Sequence, residues 1–443
     1  MSSGPARRGP RFEPVAELPV AAGATVYAEG WQSWSPVGVY RTGESSPPAP
    51  DALHQTMGWR PETPVPEDAI QGEGILALVV PGEPVRAWFA PEPSRAVASL
   101  RLAALPDRVV VSADAPVREL AVEGGLDDAL AAIGDELSPG AVASVPPGWC
   151  SWSCYFSHVT EADVVENLCA AARLSLPVGI VQIDDGHEAC IGDWLDSSPR
   201  FGSLRSAAAQ IAAAGLRPGV WTAPFLVGER STLAAAHPDW LVDGADGGWN
   251  WHQRLRVLDV THPAAAEHLA HVYGTLAEWG FGYHKLDFLY AGALAGRRYG
   301  DCPPFEAYRE GLRLIRAAAG PDAILLASGA PLLPSIGLVD AMRIGGDVLP
   351  ESPAEAPDLA HAIRITKARS WMHARLWAND PDCLVARPEI AGRETWAAHL
   401  EDYRGVAFSS DRLATLDERG LELTRRVLRP SSTEPLSPRP ARP

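Results

Sequence analysis

From the Pro146-Pro147-Gly148 punctuation onward, short apolar runs alternate with Ala/Leu-rich segments of helical length, and this alternation constrains the fold more than any other feature. Strands are predicted at Trp149–Ser153, Gly179–Asp184, Pro218–Ala223, Tyr283–Phe288, Ile324–Ala327, Ala341–Ile344, Leu376–Ala378 and Gly405–Phe408. Helices are predicted near 160–174, 203–215, 264–279, 304–319, 356–373, 394–403 and 411–428. Local signals agree: Thr160 precedes an acidic first turn (Glu161, Asp163), and Pro263 suits a first helical position. Strands alternating with helices over about 280 residues suit a parallel (β/α)8 TIM barrel. A doubly wound sheet would need a Gly-rich phosphate loop after its first strand, and the sequence has none there.

The first 145 residues have a different texture. β-rich runs at 75–80, 85–89, 97–102 and 109–112 recur at short intervals, with Pro and Gly between them, which suggests a sandwich. The expected fold class is therefore α/β: a β-sandwich over 1–145, a catalytic barrel over 146–429, and a disordered Pro-rich tail over 430–443. Gly30–Pro36 interrupts the sandwich pattern with two tryptophans. Trp34 is either part of that domain's own core and turn, or a loop residue reaching into a neighbouring pocket.

A chain of 443 residues calls for two or three domains. Its net charge of −17 argues against nucleic acid or an anionic membrane surface as partner. The six cysteines form no CxxC pair, so no zinc site is expected, nor any other metal or cofactor; scattered thiols fit a reducing compartment. The N-terminus has no apolar signal core, and no run is long enough for a membrane span. These features predict a cytoplasmic protein. Its 15 tryptophans exceed the needs of a core and point mildly to carbohydrate.

One apolar run, Tyr283–Tyr290, carries two charges, Lys285 and Asp287. On a strand they share a face, and burying such a pair is costly unless the charges are paired or used. Lys285 and Lys367 are the only lysines among 38 basic residues, so a compact ammonium is selected at this place. The alternative is a structural ion pair. The other predicted strand ends bring Trp152, Asp184 with Asp185, Trp221, Ser328, Arg343 with Asp347, and Asn379-Asp380 to the barrel face where chemistry gathers. Carboxylates dominate and no His/Cys cluster accompanies them, so direct use as nucleophile and acid is expected, as in glycoside hydrolysis. Asp347 could instead be a plain turn residue after Gly345-Gly346.

Ordered motifs give these residues a resemblance. Gly148–Trp152, Val181–Gly186, Ile191–Trp194, Pro218–Phe225, His237–Trp240, Lys285–Phe288, Gly329–Pro331, Met342–Asp347 and Asn379–Cys383 resemble glycoside hydrolase family 36, the melibiase-type α-galactosidases. The resemblance covers roughly 145–385, and Gly30–Pro36 resembles the Trp loop of the family's N-terminal sandwich. It implies a retaining exo-α-galactosidase acting on α-galactoside oligosaccharides by double displacement. Asp287 would be the nucleophile and Asp347 the acid/base, with carboxyls about 5–5.5 Å apart. Lys285 would keep Asp287 ionised, Asp184 and Asp185 would bind the 4- and 6-hydroxyls, and Arg343 the 2-hydroxyl. Trp221 would pack the sugar's apolar side, Trp34 would reach in from the sandwich, and Trp152 and Ser328 complete the substrate-binding set.

Ser328, Gly346 and the Leu349-Pro350-Glu351 run depart from the family, which often has Cys, Pro and a nearby Trp there; these departures bear on aglycone preference. Against that resemblance, the family's usual C-terminal β-domain is expected to be missing or vestigial after about residue 430. Three alternatives stay open: an α-galactosyl transglycosylase of the raffinose- or stachyose-synthase kind, an α-N-acetylgalactosaminidase, and a non-catalytic sugar-binding protein. Association into a homo-oligomer is also left open.

Overall fold

The structure is a computed structural model that describes residues 10–349 and 358–429. The predicted tail at 430–443, the start of the helix predicted at 356–373, and Pro350 and Glu351 lie outside the described residues. The chain divides into two compact units: one runs to Leu137 and includes Pro331–Ile336, and the other takes the rest from Ser138.

The N-terminal unit has two antiparallel sheets. One orders Gly38–Arg41, Thr25–Ala28, Ile75–Val79, Val85–Phe89 and Arg118–Val122; the other orders Glu13–Pro19, Arg108–Ala113, Ser99–Ala104 and Ile70–Glu73. Side chains from both, among them Val26, Leu76 and Trp88 from the first and Leu100, Val109 and Val111 from the second, join in one apolar cluster. The four predicted β runs fall on strands of this unit. Glu13–Pro19 escaped prediction because it contains two prolines; it is an edge strand with a largely exposed surface, where a missing N–H is tolerated. The helix Leu126–Leu137 was also not anticipated. Its buried Ala129, Leu130, Ile133, Gly134 and Leu137 follow a helical repeat.

In the second unit eight parallel strands form a curled, TIM-barrel-like sheet: β1 (Gly148–Cys150), β2 (Ile180–Ile183), β3 (Arg217–Thr222), β4 (Tyr283–Leu286), β5 (Ile324–Ala327), β6 (Ala341–Arg343), β7 (Ala378–Asp380) and β8 (Phe408–Ser409). Neighbours in sequence pair in space from β1 to β7, and β8 pairs with β1. A parallel bridge between Leu384 and Ser409 links the segment after β7 to β8. Strand β7 lies two residues later than predicted, so Asn379 and Asp380 are in the strand rather than beyond it, and β8 is also displaced toward the C-terminus. Most of the helices lie within a few residues of prediction, including Glu161–Arg173, Pro263–Glu278 and Pro304–Ala319; the last begins at Glu418 rather than near 411. Thr160 and Asp163 form a reciprocal capping box. Among the described residues no helix is long and apolar enough to cross a membrane.

The pleat explains how this sheet presents polar groups. Tyr283, Leu326, Ala341 and Ala378 belong to one apolar cluster. Two residues further along each chain, on the same side, come Lys285, Ser328, Arg343 and Asp380. The apolar layer thus carries a polar layer toward the C-terminal ends of the strands.

An antiparallel three-stranded sheet follows β3 and was not predicted: Leu226–Gly228 and Gly248–Asn250 flank Gln253–Val257. Its hairpin turns through two residues, Trp251 and His252, with φ of +49° and +55°. Left-handed geometry at both positions normally selects Asn-Gly, so two bulky side chains here are strained.

Candidate active site

Lys285 is the centre of the polar layer. Its ammonium lies 3.0 Å from Asp184 Oδ2 and 3.9 Å from Asp287 Oδ2. The three side chains are almost wholly buried, with residue exposures of 3% for Lys285, 1% for Asp184 and 7% for Asp287. Burial works against the Lys285 charge, but Asp184 and then Asp287 outweigh it and raise its pKa well above the usual lysine range. The ammonium form is therefore favoured, and it sits nearer Asp184 than Asp287.

Asp184 is the most heavily bonded of the three. Its Oδ2 also receives Gln182 Nε2 and the Cys150 thiol at 3.3 Å, while its backbone N–H donates to Ser151 Oγ. Asp287 stands one residue past the end of β4. The chain turns sharply there, with Phe288 at φ +50°, and the Phe288 N–H donates to Asp287 Oδ1 at 2.8 Å. Trp221 Nε1 donates to Asp287 Oδ2 at 3.0 Å, and the Trp221 ring meets Trp194 edge-on and Trp251 at a tilt.

Asp185 diverges from Asp184. Its Oδ2 accepts from Trp251 Nε1 at 2.8 Å, whereas Oδ1, although buried, has no hydrogen-bond partner among the described residues. Burial, followed by the neighbouring Glu188 carboxylate, raises its pKa well above the usual range. The chain can make this turn because the next residue is Gly186, at φ +112°, where a Cβ would come within 2.5 Å of the Ser157 carbonyl oxygen.

A second cluster surrounds Arg343 at the end of β6. Its Nε donates to Asp380 at 3.0 Å, one terminal nitrogen contacts Asp382 at 2.9 Å, and the other donates to Asp347 Oδ1 at 2.7 Å. Asp347 also accepts from Trp152 Nε1 at 3.0 Å, and its side chain is 40% exposed while that of Arg343 is 3% exposed. Ser328 is buried at the end of β5, and its hydroxyl has no partner among the described residues.

The structure thus gathers Asp184, Lys285, Asp287 and Trp221 into one bonded group, attaches Asp185 to it through Trp251, and pairs Arg343, Asp347 and Trp152 in another. Trp34 lies in the N-terminal unit, in a turn built by Gln32, whose side-chain oxygen accepts the Trp34 N–H at 2.7 Å. Sequence reasoning missed Trp251, whose position depends on a strained turn that no residue preference signals. Asp380 and Asp382 were present in the Asn379–Cys383 motif, but only their geometry reveals their shared guanidinium. Among the described residues no group of three or more His, Cys, Asp or Glu side chains is arranged to hold a metal ion.

Two carboxylate clusters with tryptophan neighbours, one buried and one opening to solvent at Asp347, lie at the C-terminal ends of parallel strands and suit a polyhydroxylated ligand. Residues 151–289 match the Melibiase family model. The chain is similar to TtGalA, an α-galactosidase from Thermus thermophilus solved with p-nitrophenyl α-D-galactopyranoside, at 26% identity and a TM-score of 0.79 over 96% of this chain and 90% of that one. The same enzyme solved with stachyose covers 94% and 93%. The family 36 α-galactosidase AgaA from Geobacillus stearothermophilus shares the fold, with a TM-score of 0.65 at 15% identity over 93% of this chain and 61% of its own. A bifunctional α-galactosidase/sucrose kinase from Mediterraneibacter gnavus is 30% identical over 100 residues, which span 21% of this chain and 10% of that protein. A probable α-galactosidase from Emericella nidulans is 27% identical over 135 residues, 18% of its length. Homologues and structural neighbours of the chain are therefore glycoside hydrolases of the α-galactosidase class.

Proposed function

We propose that the chain is a retaining exo-α-galactosidase that removes terminal α-linked galactose from oligosaccharides. The observation that carries this reading is the buried Asp184–Lys285–Asp287 group beside Trp221, which sets one ammonium between two carboxylates in a largely water-excluded pocket. Asp287 attacks the anomeric carbon as the bond to the leaving oxygen breaks, and Asp347 gives that oxygen its proton. The β-linked galactosyl-enzyme is then opened by water, whose proton Asp347 takes, so the released sugar keeps its α configuration.

Binding follows from the atoms left unpaired. Asp185 Oδ1 and the Ser328 hydroxyl, buried without a hydrogen-bond partner among the described residues, would meet sugar hydroxyls, since such atoms favour a ligand that supplies partners. Asp184 and Lys285 address further hydroxyls, and the Trp221 ring packs the apolar side of the sugar. All three side-chain nitrogens of Arg343 are engaged by carboxylates, so its part is in holding Asp347 more than in reaching a 2-hydroxyl. Six free thiols support a reducing, cytoplasmic setting.

The test is Asp287→Ala with p-nitrophenyl α-galactoside. Loss of turnover by about 10³-fold or more is expected, and added azide should restore nitrophenol release with a β-galactosyl azide as product. Activity near that of the unaltered protein would refute the assignment. Product analysis with excess galactosyl acceptor separates hydrolysis from transfer.

A further inference from the structure

We propose that Asp382 is a positioning residue for Asp347, setting both the orientation and the proton affinity of that carboxyl through Arg343 and through the backbone that follows Asp347. The proposal rests on the reading of Asp347 as the acid/base.

Asp382 grips the Asp347 segment from two sides. Its Oδ1 lies 2.9 Å from an Arg343 nitrogen, and its Oδ2 accepts the N–H of Val348, the residue after Asp347, at 2.7 Å. Arg343 is four residues before Asp347 and donates to it. One carboxylate therefore ties together the guanidinium that holds the Asp347 side chain and the peptide that carries its backbone onward. Asp382 is itself fixed: it is 2% exposed, and its own N–H donates to Asp380 Oδ1 at 3.0 Å. Its backbone has φ +91°, a conformation that costs a residue with a side chain and persists where the surroundings hold it. Asp347 needs such support. It is the most exposed member of the group, and a half-solvated carboxyl turns freely unless both oxygens are held.

The charges point the same way. A lone guanidinium 2.7 Å from Asp347 would hold it as a carboxylate and oppose the proton that the first step requires. Asp380 and Asp382 on the same guanidinium offset that pull. The other groups around Arg343 are the Cys383 thiol and, further off, Lys285. Burial raises the Asp382 carboxyl to about 6, with Arg343 pulling it down and Asp347 and Asp380 pushing it up. Removing the Asp382 charge leaves Arg343 less neutralised, which lowers the proton affinity of Asp347. The general acid then loses its proton at lower pH, and the alkaline limb of the rate profile moves in the acid direction.

The test compares kcat/KM of the full chain and its Asp382→Asn variant on p-nitrophenyl α-galactoside, whose leaving group needs little protonation, and on methyl α-galactoside, whose leaving group needs it fully. About tenfold or greater loss on the methyl glycoside, a much smaller loss on the nitrophenyl glycoside, and an alkaline limb shifted by about half a unit or more toward acid are expected. Asp382→Gly, which accepts φ +91° without strain, is the second variant and should show the same split if Asp382→Asn folds poorly. Equal losses on both substrates with an unmoved limb, or no loss in either folded variant, overturns the proposal. Asp347→Ala is measured alongside: if it shows no dependence on leaving group, the acid/base reading itself fails, whatever Asp382 does.

Discussion

Lys285 shows how one side chain decides what its neighbours can be. A buried ammonium between two carboxylates is stable only while both partners remain, and the carboxylates depend on it in turn. Lys285→Met removes the charge but keeps the volume, leaving Asp184 with Gln182 and Cys150 and Asp287 with Trp221 and its own loop. Breaking a buried pair from one side typically costs about 3–5 kcal/mol, because the remaining charge has lost its compensation. The donors that stay should hold the loss to about 3 kcal/mol, measured by urea unfolding at neutral pH, with activity reduced by about 10³-fold. A variant as stable as the parent would show that Asp184 and Asp287 are satisfied without the ammonium. The need for Lys285 was legible in the sequence because lysine is rare in this chain. That its nearer partner is Asp184 was not, since a contact between residues 101 apart in sequence leaves no local trace.

At the scale of elements, the sheet that follows β3 shows a conflict between local preference and use. The Trp251–His252 turn holds two non-glycine residues in left-handed geometry. Trp251 returns something for that strain: its indole N–H binds Asp185 and its ring contacts Trp221 and Phe288. His252 is exposed and contributes no such contact to the site. His252→Gly should therefore raise stability by about 0.5–1 kcal/mol without changing kcat or KM, checked by thermal unfolding and initial rates. Trp251→Phe should keep the fold and raise KM severalfold, because Asp185 loses its donor while the ring contact persists. Equal effects of the two changes on KM would remove the distinction drawn between them. The parallel strands were readable because their apolar runs are continuous and end in chemistry-bearing residues. The hairpin was not, since Gly248–Val257 mixes Trp, Asn, His and Arg with no clean alternation, and its geometry comes from the surroundings.

The whole molecule sets charge against burial differently in its two units, and acid should separate them. All but one of the twelve histidines belong to the second unit, the exception being His54. His284 on β4 is fully buried, with neither ring nitrogen hydrogen-bonded among the described residues. Burial first and the Arg316 charge second lower its pKa to about 4, against a weaker pull from the Phe281 carbonyl, which lies outside bonding geometry. Because the folded value is below the unfolded one of about 6.5, the unfolded chain binds the proton first. Stability is complete above that value and falls as pH drops toward 4. The N-terminal unit contains the opposite case. Burial raises the Glu73 pKa despite Arg60, Ser99 and Gln71, so its contribution is full below the unfolded value and is lost as pH rises through the folded one. Between pH 7.5 and 5.0, His284 alone should cost the second unit about 2 kcal/mol. His284→Leu abolishes that titration, so urea unfolding of the variant should lose about 2 kcal/mol less than the parent over this interval. The variant starts from a lower baseline at pH 7.5, since the imidazole's contact with Tyr273 is gone. It is the slope between the two pH values that decides: parallel pH dependences would mean that His284 finds a proton partner in the folded protein and that the acid response of the second unit lies elsewhere.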